Sequence, residues 1–458
     1  MSTIFSIKAS EAQGRRLDPR FYHPVFRKNR VCIEACEHSE VKALCDLSNE
    51  IWDKGQCFQD HFPYVEIGAI NCENGEIGNI EELATVDAPS RAQMVVRAGD
   101  LLVSATRPTR NAIAIVPAHV EKAIASTGFL VVRSVKSSVV DPRYFFHVLR
   151  MEVCTKQFDQ YSSGGNYPAI TKEDFRRMVI PLPPLPEQRK IVAELDAVYA
   201  AKRAADEKAA KLLASIDDMV LNELGIAKLP KPDTSLSSRI FTVPAKEVVN
   251  GRLDPMAYQP ARRQFYKNVR AGKYETVNLN EVVDVDRRQT DSLDGLTYVG
   301  LENINGEDGT YSPTGDKESI STAVLFHKDE ILFPKLRPYL NKVWLADFDG
   351  AASTEFFPLI PNGVIPEYLI AYLRLTQVAK VMTLLMTGNT LPRVQLEDVL
   401  FLPVPTPPRS VQDRIASKAS SIRTEARKLK ADATAALDAA KRGIEDRIVG
   451  DSDFTEKT

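Results

Sequence analysis

The chain has 458 residues, 44% hydrophobic and 26% charged, with a formal net charge of −2. That length suits about two or three ordinary domains, and the near-neutral balance does not announce a nucleic-acid binder, although 59 Lys and Arg leave material for local basic patches. No run of about 18 apolar residues exists, which argues against a membrane-spanning helix and a membrane partner, and Met1-Ser2-Thr3-Ile4 onward lacks the apolar core of a secretory signal, so a cytoplasmic location is expected.

In chain order, Ile4-Phe5 leads to Gly14-Arg15-Arg16-Leu17-Asp18-Pro19, with Tyr22 and Pro24 close behind. Strand signals come next at Tyr64 to Ile67, Asp100 to Val103, Ala112 to Val116 and Phe129 to Val132. Pro142 to Gln157 reads as a helix, with Asp141 as its cap and Pro142 in its first turn. Lys172 to Met178 reads as a short helix capped by Thr171. Strands dominate the middle and helices the end, which indicates an α+β class.

A Pro-rich run then opens a long helical pattern, with Pro186 in its first turn. Apolar residues recur at Ile191, Leu195, Val198, Ala205, Ala209, Leu212, Ile216 and Met219, with one missed step at Lys202. This alternation of threes and fours is a coiled-coil seam. From Pro186 to Leu224 the helix would run about 58 Å, and so long and narrow a stripe favours a helix partner over packing on its own globular domain. Gly225 fits the residue just past a helix end, and Ile226 to Ser238, with Pro230, Pro232 and Asp233, reads as a linker.

The pattern then starts again. Ile240-Phe241 precedes Asn250-Gly251-Arg252-Leu253-Asp254-Pro255, with Tyr258 and Pro260 at the spacing of Tyr22 and Pro24. Further pairs match in order as loop lengths drift: Tyr64/Tyr298, Asn71/Asn305, Arg107/Arg337, Asn111/Asn341, Phe129/Phe356 and Tyr144/Tyr368. From Arg150/Arg374 through Pro168/Pro392, Pro181/Pro405, Gln188/Gln412 and Ile191/Ile415 there is no gap. A second long helix is expected after Pro408, its seam at Ile415, Ala419, Ile422, Ala426, Leu429, Ala433, Ala436, Ala440 and Ile444. Small seam residues would let two such axes approach closely. A repeat of this size is one structural unit used twice.

Catalytic patterns are missing. There is no phosphate-binding loop of the G-x-x-x-x-G-K-[ST] type, no dinucleotide glycine fingerprint, no H-E-x-x-H and no G-x-S-x-G. The runs Pro181-Leu182-Pro183-Pro184 and Pro403-Val404-Pro405 lack the Asp or Asn of an amino-methyltransferase motif. Glu40-Val41-Lys42 has no counterpart in the second copy. All six cysteines lie in the first half, and Cys32, Cys36 and His38 have no second ligand pair at zinc spacing, so neither a metal site nor a catalytic site is expected.

The ordered set of motifs resembles the specificity (S) subunits of type I restriction-modification systems. The residues that carry this are Arg16-Leu17-Asp18-Pro19 and Arg252-Leu253-Asp254-Pro255, Gly165-Asn166-Tyr167-Pro168 and Gly388-Asn389-Thr390-Leu391-Pro392, and Pro183-Pro184-Leu185-Pro186-Glu187-Gln188-Arg189-Lys190-Ile191 before a long helix. Arg409-Ser410-Val411-Gln412 departs from the usual helix entry. The resemblance covers essentially the whole chain. It implies two target-recognition-type α/β domains separated by an antiparallel coiled coil of two long helices with a pseudo-twofold repeat. The boundaries are then a first recognition domain at 1–180, a central helix at 181–225, the linker at 226–238, a second recognition domain at 239–404, a C-terminal helix at 405–450 and a frayed tail at 451–458. It also implies double-stranded DNA as ligand, a bipartite asymmetric site and two methyltransferase (M) subunits as partners, with restriction (R) subunits able to join. S-adenosylmethionine, ATP and Mg would belong to those partners, leaving this chain without cofactor or chemistry. The rival readings are a stand-alone tandem-domain DNA-binding regulator, which would bind tightly alone, and a coiled-coil adaptor indifferent to DNA.

Base edges favour Arg, Lys, Asn and Gln, and phosphates favour Arg, Lys, Ser, Thr and main-chain N–H groups. The candidate contacts are Arg107, Thr109, Arg110 and Asn111 after a strand, and Lys335, Arg337, Tyr339, Asn341 and Lys342 in the second copy. The glycine-containing loops add Ser163, Gly164, Asn166 and Tyr167, then Asn389, Thr390 and Arg393. Arg287 and Arg288 form a third patch. Each has a structural alternative: a shared Arg-Pro fixes a turn, Gly-Asn pairs form ordinary turns, and Arg287-Arg288 suits a solvated loop.

Overall fold

Asp18 and Asp254 open equivalent turns. Each carboxylate accepts a backbone N–H two residues on, from Arg20 and Met256, both at 3.0 Å. A proline beside each cap starts the 3-10 turns Pro19–Tyr22 and Pro255–Tyr258, and a second proline starts the helices Pro24–Glu34 and Pro260–Arg270. The computed structural model describes residues 5–6, 18–54, 58, 60–78, 80–120, 122–231, 235, 240–248, 254–314 and 321–450. Arg16, Leu17, Arg252, Leu253, Cys57 and the tail at 451–458 lie outside the described residues.

The chain divides into two units, residues 1–204 with 432–458, and residues 205–431. In the first, one antiparallel sheet runs Cys45–Leu47, Phe129–Val135, Leu101–Ser104, Ile113–Ile115. The second runs Glu81–Ala84, His61–Val65, Lys122–Ser126, Ala92–Arg97, with His61–Val65 and Lys122–Ser126 parallel. The other unit repeats this plan. Its sheets are Val283–Val285, Phe356–Pro361, Ile331–Pro334, Trp344–Leu345, and Thr297–Val299, Gly350–Ser353, Ala323–Phe326, Gln289–Thr290, with the first pair of the latter parallel. The central strands Leu101–Ser104 and Ile331–Pro334 are buried at every residue, which is why they read as continuous apolar runs without alternation.

The single helix expected from Pro142 to Gln157 is two helices, Pro142–Leu149 and Glu152–Tyr161. Met151 is extended between them. The break exposes the N–H groups of Glu152 and Val153, which the Glu445 carboxylate accepts at 3.2 and 2.6 Å. In the second unit Pro366–Leu373 and Thr376–Leu384 break at the same place, and Asp217 accepts the Thr376 N–H at 3.0 Å. Lys172–Arg177 is helical with a full capping box between Thr171 and Asp174.

The long helices are Leu185–Leu224 and Arg409–Val449. Pro186 lies in the first turn, whereas Pro408 precedes its helix and offers its carbonyl to the N–H groups of Val411 and Gln412. The repeated Gln188 and Gln412 are buried. Their carboxamides accept from the Asp141 and Ile365 N–H groups and donate to the Pro183 and Pro407 carbonyls. Tyr144 and Tyr368 donate to Pro181 and Pro405. The Pro-rich segments are thereby clamped where the helices begin.

Within each unit the helix segments run antiparallel. In the first, Arg447 pairs with Glu194 at 2.9 Å, and Ile191, Leu195 and Tyr199 share a core with Leu437 and Ile444. In the second, Arg414 and Lys418 hold Glu223 at 2.9 and 2.8 Å, and Ile216, Val220 and Leu224 share a core with Ile415 and Ala419. The seam therefore meets both the other helix and the globular layer. Three seam positions move by one residue: Tyr199 is buried beside a half-buried Val198, Val220 is buried beside a half-buried Met219, and Leu437 is buried while Ala436 is exposed. At Tyr199 and Leu437 the larger side chain takes the inward site, where it removes more apolar area from water. Lys202 sits on the seam as a largely buried stem whose ammonium reaches Glu73 at 3.3 Å.

Gly225 ends the first long helix at φ 67°, with Ile226 N–H returning to the Leu221 carbonyl at 2.9 Å. The segment after Gly225, read as a linker, is anchored at its start. Ile226 is buried, the Ala227 carbonyl accepts from Asn268, and Leu229 N–H donates to Gln377, so the start of this segment is part of the second unit. Residues 232–234 and 236–238 lie outside the described residues.

Candidate nucleic-acid interface

Strand Leu101–Ser104 delivers the chain into the turn Pro108–Arg110, flanked by Arg107 and Asn111. Both flanking residues are left-handed, at φ 48° and 64°, and their counterparts Arg337 and Asn341 are so at 49° and 52°. Left-handed backbone at a non-glycine residue costs on the order of 1 kcal/mol and persists only where the surroundings hold it. Here they do. Arg107 N–H donates to the Pro168 carbonyl at 2.6 Å, and Arg337 N–H to that of Pro392 at 3.0 Å. The Asn111 amide donates to the Arg150 carbonyl at 3.1 Å, and the Asn341 amide to that of Arg374 at 2.8 Å.

The shared residues Arg150 and Arg374 close the same frame from within. Arg150 is buried and donates to the carbonyls of Asn111, Ile113, Cys72 and Glu73. Arg374 donates to those of Asn341, Val343 and Gly306. Sequence reasoning paired these arginines across the repeat without seeing their role. Their signal was available, since a charged residue kept in both copies beside a helix end needs a partner. Asn111 and Asn341 are positioning residues with their amides turned into the domain.

The turn is stitched to the glycine-containing loop. Ser163 and Ala169 exchange backbone hydrogen bonds at 2.9 Å in both directions, and Thr387 and Arg393 do so at 2.8 and 2.9 Å. Gly164 and Gly388 take φ of 106° and 95° inside these loops, conformations that suit glycine. The structure thus brings Arg107, Thr109, Arg110, Ser163, Gly164, Asn166 and Tyr167 together in the first unit. In the second it brings together Lys335, Arg337, Tyr339, Asn389, Thr390 and Arg393.

The side chains on these matching frames differ. The Arg107 guanidinium donates to the Asn166 carbonyl at 2.8 Å and lies 4.4 Å from the centre of the Tyr167 ring, itself 70% exposed. Leu391 stands at the place of Tyr167 in the second unit, and Arg337 is exposed there. Thr109, Arg110 and Tyr339 are exposed, as are Ser163, Asn166, Asn389 and Thr390. Lys335 is half-buried over the Phe357 ring and donates to the Thr354 carbonyl at 2.6 Å, and burial lowers its pKa. Lys342 turns inward to the Leu301 carbonyl at 2.7 Å. Arg393 and Glu355 form a bidentate ion pair at 2.6 and 2.8 Å.

The third patch splits. Arg288 is tied to the buried carboxylate of Asp286, a hydrogen bond that holds Asp286 below the usual carboxylate range. Arg287 is exposed. Among the described residues no cluster of three His, Cys, Asp or Glu could hold a metal ion, and Cys32, Cys36, Cys45, Cys72 and Cys154 are free thiols. No helix among the described residues is long and apolar enough to cross a membrane.

Two equivalent α+β units, each with matching loop frames and unlike exposed side chains, define a tandem-repeat scaffold. Residues 36–212 match the family model described as the type I restriction modification DNA specificity domain. Among curated proteins, the chain is 22% identical over 292 residues to the type I restriction enzyme EcoDI specificity subunit of Escherichia coli, covering 62% of this chain and 63% of that one. It is 27% identical over 119 residues to the HindI specificity subunit of Haemophilus influenzae, covering 26% and 25% of the two chains. The matched part thus spans less than two thirds of the length of these relatives. Similar solved structures include a chain from a study of type I R-M complex assembly and conformational transition (23% identity, TM-score 0.47, 92% of this chain and 98% of that one). Another is the HsdS subunit from Thermoanaerobacter tengcongensis (22% identity, TM-score 0.37, 91% and 97%). The chain is thus similar, over residues 36–212 and over the stretches aligned to these curated proteins, to type I restriction-modification specificity subunits.

Proposed function

We propose that this chain is the DNA sequence-recognition subunit of a type I restriction-modification complex. It reads a bipartite, asymmetric site with one unit per half-site and carries two adenine-methyltransferase subunits, to which restriction subunits can be added. The observation that carries this is the pairing of a duplicated frame with divergent tips. Arg107/Arg337, Asn111/Asn341, Arg150/Arg374 and Gln188/Gln412 hold the same backbone in both copies. The exposed residues on that backbone differ: Thr109 and Arg110 against Tyr339 and Leu340, and Asn166 and Tyr167 against Thr390 and Leu391. A duplicated reader whose half-sites were identical would have no reason to vary them. Exposed Arg110, Arg337 and Arg287 suit phosphate contact, while the unlike side chains beside them suit base edges.

In this reading the chain contributes position and sequence choice, and methylation and cleavage belong to the partners together with S-adenosylmethionine, ATP and Mg. The formal charge of −2 fits a subunit that depends on them for tight DNA binding. The test is co-purification with the products of neighbouring genes, followed by mapping of methylated adenines in host DNA with and without this gene. A two-part motif that disappears on deletion is the expected result. Tight specific binding by the isolated chain would point instead to a stand-alone regulator, and no DNA dependence to an adaptor.

A further inference from the structure

The loop junction is built identically in the two units and furnished differently. In the first, Ala105 N–H donates to the Gly128 carbonyl at 2.8 Å, and the Ala105 carbonyl accepts from Ile170 at 3.0 Å. In the second, Lys335 N–H donates to the Glu355 carbonyl at 2.7 Å, and the Lys335 carbonyl accepts from Val394 at 3.0 Å. The backbone exchange between Ser163 and Ala169 recurs between Thr387 and Arg393. Lys335, Glu355 and Arg393 therefore occupy the places of Ala105, Gly128 and Ala169. The first unit closes the same junction without any of the three charges, so the charges are not what closes it.

The Arg393 side chain is 40% exposed and Glu355 24% exposed. The carboxylate takes Nε–H and one Nη2–H, at 2.8 and 2.6 Å, and the Leu391 carbonyl takes one Nη1–H at 3.2 Å. A guanidinium has five donors. One hydrogen on Nη1 and one on Nη2 remain uncommitted. A guanidinium fixed along one edge by a carboxylate, with two donors left over, matches a planar pair of acceptors. In the major groove that pair is O6 and N7 of guanine.

We propose that Arg393 reads a guanine in the half-site of the second unit and that Glu355 is its positioning residue. This rests on the DNA-recognition reading and assigns one base of it. Glu355 holds the fork in a single orientation and lowers the rotamer freedom Arg393 would lose on binding. The first unit, with Ala169 in this place, has no such reader. The Arg107 guanidinium in that frame is turned onto the Asn166 carbonyl and the Tyr167 ring.

The test uses the full complex of this chain with its methyltransferase subunits, and reads the methylated motif by sequencing DNA treated with wild type, Arg393→Ala, Arg393→Lys and Glu355→Gln. The expected result is a motif that keeps its other half and its spacer but loses preference for guanine at one position, with methylation of the original site down about tenfold or more for Arg393→Ala. Arg393→Lys keeps the charge without the planar fork and should relax the same position. Glu355→Gln should relax it partly. A wild-type motif from assembled Arg393→Ala or Arg393→Lys complex overturns the proposal, as does uniform loss across all positions. A wild-type complex whose methylation has no motif dependent on this chain overturns the DNA-recognition reading itself.

Discussion

The Glu445 carboxylate accepts the backbone N–H of Val153 at 2.6 Å, at the start of helix Glu152–Tyr161. A carboxylate at a helix N-terminus is stabilising, but this one is 5% exposed, and burial pushes its pKa up from 4.5 to about 7 against the pull of the two N–H groups. Glu152 adds repulsion and Lys156 attraction. The folded state therefore holds the Glu445 proton in a range where the unfolded chain releases it. Stability from this group is complete below about pH 4.5 and is lost as pH rises to about 7. The loss is about 3 kcal/mol by linkage. Glu445→Gln keeps an acceptor for Val153 without the charge, and the fall in melting temperature between pH 5 and 8 should be smaller in the variant. An unchanged fall would show that Glu445 is not the titrating group.

His147 imposes the opposite slope. It is 3% exposed, stacks on Tyr199 at 5.7 Å and meets Asp196 at 3.0 Å. Burial lowers its pKa from 6.5 to about 4 despite Asp196. The unfolded chain binds the proton first, so stability from a neutral His147 is present above about pH 6.5 and is lost as pH falls to about 4. Between pH 5 and 6.5 this slope nearly cancels that of Glu445, so His147→Gln should unmask the latter and make the melting temperature fall more steeply with rising pH than in the wild type. Because Glu445 works against it in that window, the double variant should show a flatter profile than either single one.

Arg150→Ala would leave four carbonyls without their donor, and Arg150→Lys cannot span them. Each change should destabilise the first unit by about 3 kcal/mol or more. Thermal unfolding of the full chain followed by limited proteolysis should show early cleavage within residues 1–204. Arg374→Lys should do the same within 205–431.

Arg110→Ala and Arg337→Ala remove exposed cations without touching the frame. If they meet phosphate, each should weaken DNA binding by the assembled complex uniformly across sequences and reduce the slope of log affinity against log salt by about one. Arg107→Ala should reduce methylation more strongly, because it also frees the Asn166 carbonyl and the Tyr167 ring. Full methylation of the normal target by the Arg107 variant would remove it from the interface.

Shortening both long helices by equal whole heptads, one from Leu185–Leu224 and one from Arg409–Val449, keeps the seam in register. The methylated motif should then have a shorter spacer with the same two half-sites. An unchanged spacer in an assembled complex would sink the idea that the helices set it.

Periodicity and punctuation made the repeat, the long helices and the end at Gly225 legible in the sequence, because these are local: spacing along one chain, a proline in a first turn, a glycine at positive φ. The α+β class came from the same local signals. Tertiary structure decided which polar residues face outward. Asn111 and Asn341 look like base readers in a string of letters, and only the fold turns their amides onto Arg150 and Arg374. It also split the helix at Met151, placed Tyr199 and Leu437 inside the seam, and set Glu355 beside Arg393 across a gap of 38 positions. The reason is physical. Local patterns fix backbone preference and the apolar face, whereas the partner of a charge or an amide is chosen by the distant residue that folding brings within hydrogen-bonding reach.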